Sequence, residues 1–214
     1  MKKLIVTTVF CALVYFLPLV GKPTSYTHPS FLTVVFFFFL LFLTQPTFKA
    51  ADISEKSSTD KFSMLFITVA LIIILSGSVI DWAYFNSESP TTNEKAYQSV
   101  GLFLLVTGST IRIWAISHLG KYFANTVSFN SEHQLVKSGP YKIIRHPSYL
   151  GAYLAIIGSA FFLNSTVFAS IAIVMMFFVY QYRIKVEEQG LIGIFQNEYL
   201  QYMKQSKRMI PFIY

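Results

Sequence analysis

Charge is scarce in this chain. Asp, Glu, Lys and Arg make up 13% of its 214 residues, about half the share of a soluble domain. A charged, water-facing shell around one core is therefore out of reach. Cysteine is nearly absent: Cys11 lies alone inside an apolar run, which excludes a disulfide framework and a cysteine-based metal site. No Gly-x-Gly-x-x-Gly follows a strand pattern and no Walker loop occurs, so the sequence carries no sign of a soluble dinucleotide site or a P-loop. Two histidines, His133 and His146, lack a third ligand at motif spacing, and no metal site is expected.

Apolar and aromatic residues fill the space that charge leaves. They reach 54% of the chain, with 22 Phe and 13 Tyr, and the mean hydropathy is +0.52. Such a composition reads as an all-α integral membrane protein with aromatic belts at the interfaces. The net charge of +7 does not point to nucleic acid. The basic residues flank apolar runs and form no stripe of their own, which is the positive-inside pattern.

In chain order, residues 4–20 follow Lys2-Lys3. The run is long for a signal-peptide core and no small-x-small cleavage site follows, so it reads as a retained first helix. Residues 30–48 form a second span, 49–61 a polar loop and 62–80 a third span. An acidic loop, 81–95, contains the turn signal Ser89-Pro90. Residues 96–117 form a fourth span with Arg112 near its end, and a long connection, 118–148, follows. Two short apolar segments, 149–163 and 166–182, are separated only by Asn164-Ser165. A 15-residue helix covers about 22 Å, short of the roughly 30 Å hydrocarbon core, so the pair reads as a helical hairpin. Its two ends then lie on one side, which brings Tyr149 near Arg183.

The expected architecture is about four transmembrane helices, a C-terminal hairpin and an amphipathic tail helix. Residues 1–95 hold the N-terminal helices and residues 96–214 the functional core. With both termini and the 118–148 connection in the cytosol, Lys22 and Lys95 are the basic residues left in the opposite loops. In the tail, Leu191, Ile194 and Phe195 form an apolar face against polar Glu198, Gln201 and Lys204, which suits an interfacial helix or a lid.

The chemistry concentrates between His133 and Tyr149, where the sequence reads HQLVKSGPYKIIRHPSY. Pro147 restricts His146 to extended backbone and suits the first position of a helix, leaving the amides of Ser148, Tyr149 and Leu150 as donors at its N-terminus. Arg183 and Glu187, four residues apart, share a helix face. As residues alone, they fit either a surface ion pair or the edge of a charged-ligand site, and His146 fits an interfacial cap as well as a ligand contact. The glycines at 101 and 108 suit helix packing.

Residues 133–151, the hairpin turn at Asn164, and residues 183–212 together resemble the isoprenylcysteine carboxyl methyltransferase family, and IRIWAISHLGKYFANTV (111–127) also fits it. The resemblance covers the C-terminal half of the chain. Where some members carry Gln shortly before the position of His133, this chain has Val127-Ser128-Phe129-Asn130. The resemblance implies a membrane-embedded methyltransferase using S-adenosylmethionine. It implies that His133, Gln134, Leu135, Val136, Tyr141, His146, Pro147, Ser148, Tyr149 and Glu187 contact that cofactor. It also implies that Arg183 faces the acceptor carboxylate, which makes Arg183 and Glu187 the catalytic pair.

The expected reaction is carboxyl O-methylation of an isoprenylcysteine-like lipophilic substrate, or of a prenylated protein, met within the membrane lipid. The alternatives are methylation of a phospholipid or other small lipophile, an NADPH-dependent sterol-type reductase, and a non-catalytic scaffold or carrier in which Arg112 and Arg183 mark a polar path.

Overall fold

The computed structural model describes residues 2–45, 61–86, 92–123 and 134–210. Among them the chain is helical, without a strand beyond one isolated bridge. His133, the 49–60 loop and the 127–130 stretch lie outside the described residues.

The first apolar run forms α1 (Lys2–Cys11), then a π turn (Ala12–Phe16) and a 3₁₀ turn (Leu17–Leu19). Proline explains the change of pitch. Pro18 has no N–H to donate to the carbonyl of Val14 four residues back. That carbonyl instead accepts from Ser76 Oγ at 2.9 Å, which ties the irregular segment to the third helix. The second run forms α2 (Pro29–Thr44), opened by Pro29 and capped by the His28 side chain, which accepts from the Ser30 amide. Its buried residues, Phe31, Val34, Phe38 and Leu41, follow helical spacing along one face.

Next come α3 (Lys61–Phe85) and α4 (Thr92–Leu119). Both extend into the segment expected to be an acidic loop. The hairpin consists of α5 (Pro147–Phe162) and α6 (Thr166–Gln205). Its turn is a helix stop built on Asn164, at φ 56°. The Asn164 amide donates to Phe161 O at 2.9 Å and that of Ser165 to Ala160 O at 2.9 Å, the Schellman pairing with Asn in the left-handed position. Ser165 Oγ donates to Asp81 Oδ2 at 2.6 Å, fixing the turn to α3.

Among the described residues, three helices are long and apolar enough to cross a membrane: Phe62–Phe85, Lys95–Tyr122 and Thr166–Gln205. Three others, Lys3–Leu19, Pro29–Thr44 and Pro147–Phe162, are apolar but shorter. Six apolar segments are thus present as expected, with their lengths redistributed. Prolines at 18 and 29 punctuate the N-terminal runs. No proline follows residue 182 before Pro211, and the second hairpin arm continues as one helix through the Arg183–Glu188 segment, past Gly190 and Gly193, into the expected tail helix. A kink at Gln196, φ 45° and ψ −120°, separates the two parts. This is a conformation that a non-glycine residue holds only when its surroundings impose it.

The closest helix contact is that of α4 with α5, and four glycines make it. A methyl group at Gly108 would lie 2.4 Å from the Ala155 nitrogen, and one at Gly158 would lie 2.4 Å from the Leu105 nitrogen. Gly101 and Gly151 complete the seam. Backbone therefore touches backbone, as in small-residue packing within membranes, which is the role the spacing of Gly101 and Gly108 suggested.

Candidate active site

The hairpin delivers the expected proximity. Pro147 occupies the first turn of α5 and His146 its N-cap. The Tyr149 hydroxyl donates to Glu187 Oε2 at 2.7 Å and accepts from Arg183 Nε at 3.1 Å. Tyr149 therefore links the pair on α6 to the loop, and its ring packs against Tyr180 at 5.2 Å and His146 at 5.8 Å. Arg183 is 2% exposed and also donates from Nη1 to Ser63 Oγ at 2.8 Å, at the start of α3. A guanidinium so deep in a bilayer-length helix is held by polar partners, as its burial requires.

Glu188, the next residue, faces elsewhere. Consecutive helical residues point about 100° apart, so the two acids serve different neighbours. Glu188 Oε1 accepts from Arg145 Nε at 3.0 Å and lies 3.4 Å from His146 Nε2, while Oε2 accepts from Arg208 at 2.7 Å. Arg145 also donates to the carbonyls of Met203 and Ser206. Short backbone pairing reinforces this: Arg145 N to Lys207 O at 2.8 Å, Lys207 N to Ile143 O at 3.0 Å, and His146 N to Arg208 O at 3.0 Å. The end of the tail is thereby bound to the loop immediately before α5.

Tyr141 is buried in a 3₁₀ turn (Gly139–Lys142). Its hydroxyl donates to Ala115 O at 3.2 Å, and its carbonyl accepts from the Tyr202 hydroxyl at 2.5 Å. Burial, with the Glu187 charge second, pushes its phenol well above the usual range, so it stays a neutral donor. Arg112 on α4 donates from Nη1 to both the carbonyl and the hydroxyl oxygen of Ser148, each at 3.0 Å. The expectation of open amides at the start of α5 needs correction. Those of Tyr149 and Leu150 both donate to His146 O at 3.2 Å, because the short N-cap turn closes on its own carbonyl.

These groups line one end of a cavity of about 570 Å³. Gln134, Leu135, Val136, Tyr141, His146, Ser148, Tyr149, Arg183 and Glu187 all border it, whereas Pro147 and Glu188 do not. Its other walls are mostly apolar, with Phe10 of α1, Phe38 and Phe42 of α2, and Ile67 and Leu71 of α3, interrupted by Lys3, Thr7, Gln45 and Thr68. Leu191 and Phe195 reach it from α6 on one side of the kink and Tyr199 and Tyr202 on the other. The Tyr199 hydroxyl is buried with no hydrogen-bond partner among the described residues.

Ser63, Glu188, Tyr199 and Tyr202 were not singled out as site residues from the sequence, and Arg112 only as part of a polar path in the scaffold alternative. The Glu187-Glu188 doublet was the available signal, since adjacent acids on one helix point about 100° apart and so face different neighbours.

Apolar helices, three of them of bilayer length, around a cavity that joins charged groups to mostly apolar walls define an integral membrane protein with room for an amphipathic ligand. Residues 100–193 match the model of the "Isoprenylcysteine carboxyl methyltransferase (ICMT) family". Similar proteins include the protein-S-isoprenylcysteine O-methyltransferase of Saccharomyces cerevisiae, 36% identical over 116 residues, covering 53% of this chain and 48% of that protein. The human enzyme of the same name is 32% identical over 138 residues, covering 62% and 49%. The chain thus spans about half the length of the curated relatives it matches. A solved structure of a eukaryotic intramembrane Ras methyltransferase ICMT superposes with a TM-score of 0.63 at 25% identity, covering 97% of this chain and 75% of the other.

Proposed function

We infer that this chain is a membrane methyltransferase that uses S-adenosylmethionine to methylate the carboxylate of an isoprenylcysteine-like lipophile, alone or at the end of a prenylated protein. The observation that carries the reading is the shape of the cavity. A buried guanidinium and a carboxylate border it together, and mostly apolar walls from α1, α2 and α3 enclose the rest. A prenyl chain suits those walls, and a terminal carboxylate suits Arg183, whose planar fork matches it.

The residues present fit the methyl donor. Glu187, with its side chain 29% exposed, offers an acceptor for hydroxyl or amino groups, and the Tyr199 hydroxyl is a donor in want of a partner. Gln134, Leu135, Val136, Tyr141, His146, Ser148 and Tyr149 would form the rest of its surroundings. Pro147 shapes the turn without lining the cavity, so its part is to set the backbone. His133 belongs to the same proposed set. S-adenosylmethionine, when bound, supplies a methyl group activated by a sulfonium.

The acceptor carboxylate is ionised near neutral pH, so no side chain has to take a proton. The chain's task is to exclude water and hold oxygen in line. Arg183 is already shared with Tyr149 and Ser63, which restrains it to orienting the carboxylate rather than quenching its nucleophilicity. The loop and both termini are assigned to the cytosol, so the donor arrives from water and the acceptor from the bilayer.

Membranes containing the chain should transfer radiolabelled methyl to a prenylcysteine analogue as a base-labile ester. Arg183→Ala and Glu187→Ala should each lose that transfer at normal expression. Wild-type transfer by both variants, or base-stable label, would refute the assignment.

A further inference from the structure

A second pocket lies outside the proposed active site, at the same end of the helices. It has a volume of about 420 Å³ and is lined by Arg145, Met203, Lys204, Gln205, Ser206, Lys207 and Arg208. Four of these seven side chains are cationic. Glu188 is the carboxylate that reaches this cluster, through Arg145 and Arg208. Lys204 and Lys207 are exposed and enter no ion pair among the described residues. The local charge is therefore strongly positive even with Glu188 counted.

The setting identifies the anion. Past the kink at Gln196 the helix exposes Leu200, 42% exposed, and Ile194 just before it is 44% exposed. Its opposite face buries Tyr199 and Tyr202. Exposed apolar residues beside terminal lysines are the pattern of a helix lying at a membrane interface. There the anions at high local concentration are phospholipid headgroups, and each nearby Lys or Arg adds to their attraction.

We propose that the turn formed by residues 203–208 binds the headgroup of an anionic phospholipid, with Lys204, Lys207 and Arg208 as its cationic ligands. The site couples to the proposed active site through covalent and hydrogen-bonded backbone. Lys207 and Arg208 carry the carbonyls that accept from the amides of Arg145 and His146. A lipid holding this turn in place holds the loop before α5, and with it His146 and Tyr149. The expected consequence is tighter binding of the methyl donor in anionic membranes. This consequence rests on the methyltransferase reading, while lipid binding itself does not.

The experiment uses the full chain, purified in detergent and titrated with phosphatidylserine or phosphatidylcholine, with bound lipid counted by native mass spectrometry. Wild type should retain phosphatidylserine selectively. Lys204→Gln/Lys207→Gln should weaken that retention by about five-fold for each lysine removed. Lys121→Gln/Lys185→Gln removes the same charge from elsewhere on the protein and should leave retention unchanged. Inorganic phosphate at millimolar concentration should not displace the lipid; displacement would assign the pocket to a soluble anion and overturn the proposal. Equal retention by wild type and the 204/207 variant would overturn it as well.

In nanodiscs, the donor KM of wild type should fall as phosphatidylserine is added, and that of the 204/207 variant should not. A donor KM that responds equally in both proteins would refute the coupling. Absence of methyl transfer in every membrane, with selective lipid retention intact, would remove the methyltransferase reading and leave the lipid site standing.

Discussion

Replacing Glu188 by Gln tests whether the tail is held to the loop by a buried ion cluster. The carboxylate side chain is 4% exposed and its partner Arg145 7% exposed, so solvent screens the pair little. Gln keeps the size and one acceptor oxygen, which continues to serve Arg145. The amide group, however, presents donors to Arg208 and removes the negative charge between two guanidinium groups. Breaking a buried pair by removing one partner costs about 3–5 kcal/mol. The retained acceptor, with Arg145's bonds to Met203 O and Ser206 O, places this case near the lower end, about 3 kcal/mol. In a chain of this size each kcal/mol shifts Tm by about 2–4 °C, so Glu188→Gln should melt about 6–12 °C below wild type. The assay is thermal unfolding in detergent, paired with limited proteolysis of the 203–210 turn, which should become faster. Glu187→Gln is the internal control. It keeps an acceptor for the Tyr149 hydroxyl and loses only the charge, at a more exposed site, and should cost no more than about 1 kcal/mol while abolishing transfer. The reasoning is refuted if Glu188→Gln melts within about 2 °C of wild type, or if Glu187→Gln proves the more destabilising.

Two further changes address the site and its scaffold. Tyr149→Phe removes the hydroxyl that joins Arg183 to Glu187. It should lower kcat by about ten- to a hundred-fold, the scale of one or two displaced hydrogen bonds, with normal expression; unchanged kcat would show that the bridge is dispensable. Gly108→Leu drives a side chain into the backbone of Gly151 and Ala155. Overpacking of this kind costs about 1–3 kcal/mol, and the resulting shift of α5 should break the Arg112–Ser148 contact. Tm and turnover should fall together, whereas the same substitution at exposed Val106 should leave both unchanged.

Composition and segment length made the membrane class legible, and the Asn164-Ser165 break made the hairpin legible, because both depend on local chemistry. Helix ends were harder to read. The reading of 4–20 as one helix passed over Pro18, where the run changes pitch, and nothing in residues 183–205 announced whether a helix stops after the hairpin. The chain continues because Arg183, Ile184 and Glu188 are buried against other helices, a tertiary reason that periodicity does not contain. The kink at Gln196 has no glycine or proline at its own position. It accompanies the packing of Tyr199 and Tyr202 onto the loop, so its cause lies outside its own sequence.

The site was half legible for a related reason. Arg183, Glu187 and Tyr149 could be brought together by counting residues along a hairpin. Arg112 could not, because its position depends on the register of α4 against α5. That register is set by where glycines let two backbones touch. Gly108 lies against Gly151, so Arg112, one turn beyond Gly108, meets Ser148, one turn before Ala152 in the opposite direction. The spacing of Gly101 and Gly108 showed that α4 packs closely, but it did not say against what. Once Gly151 and Gly158, with the same spacing, are read as the facing pair, the antiparallel register follows and Arg112 is fixed beside the loop. A motif for the seam would therefore be two glycine pairs seven residues apart on successive helices, with the arginine one turn past the first pair. Moving either pair by one position should rotate Arg112 by about 100°, away from Ser148.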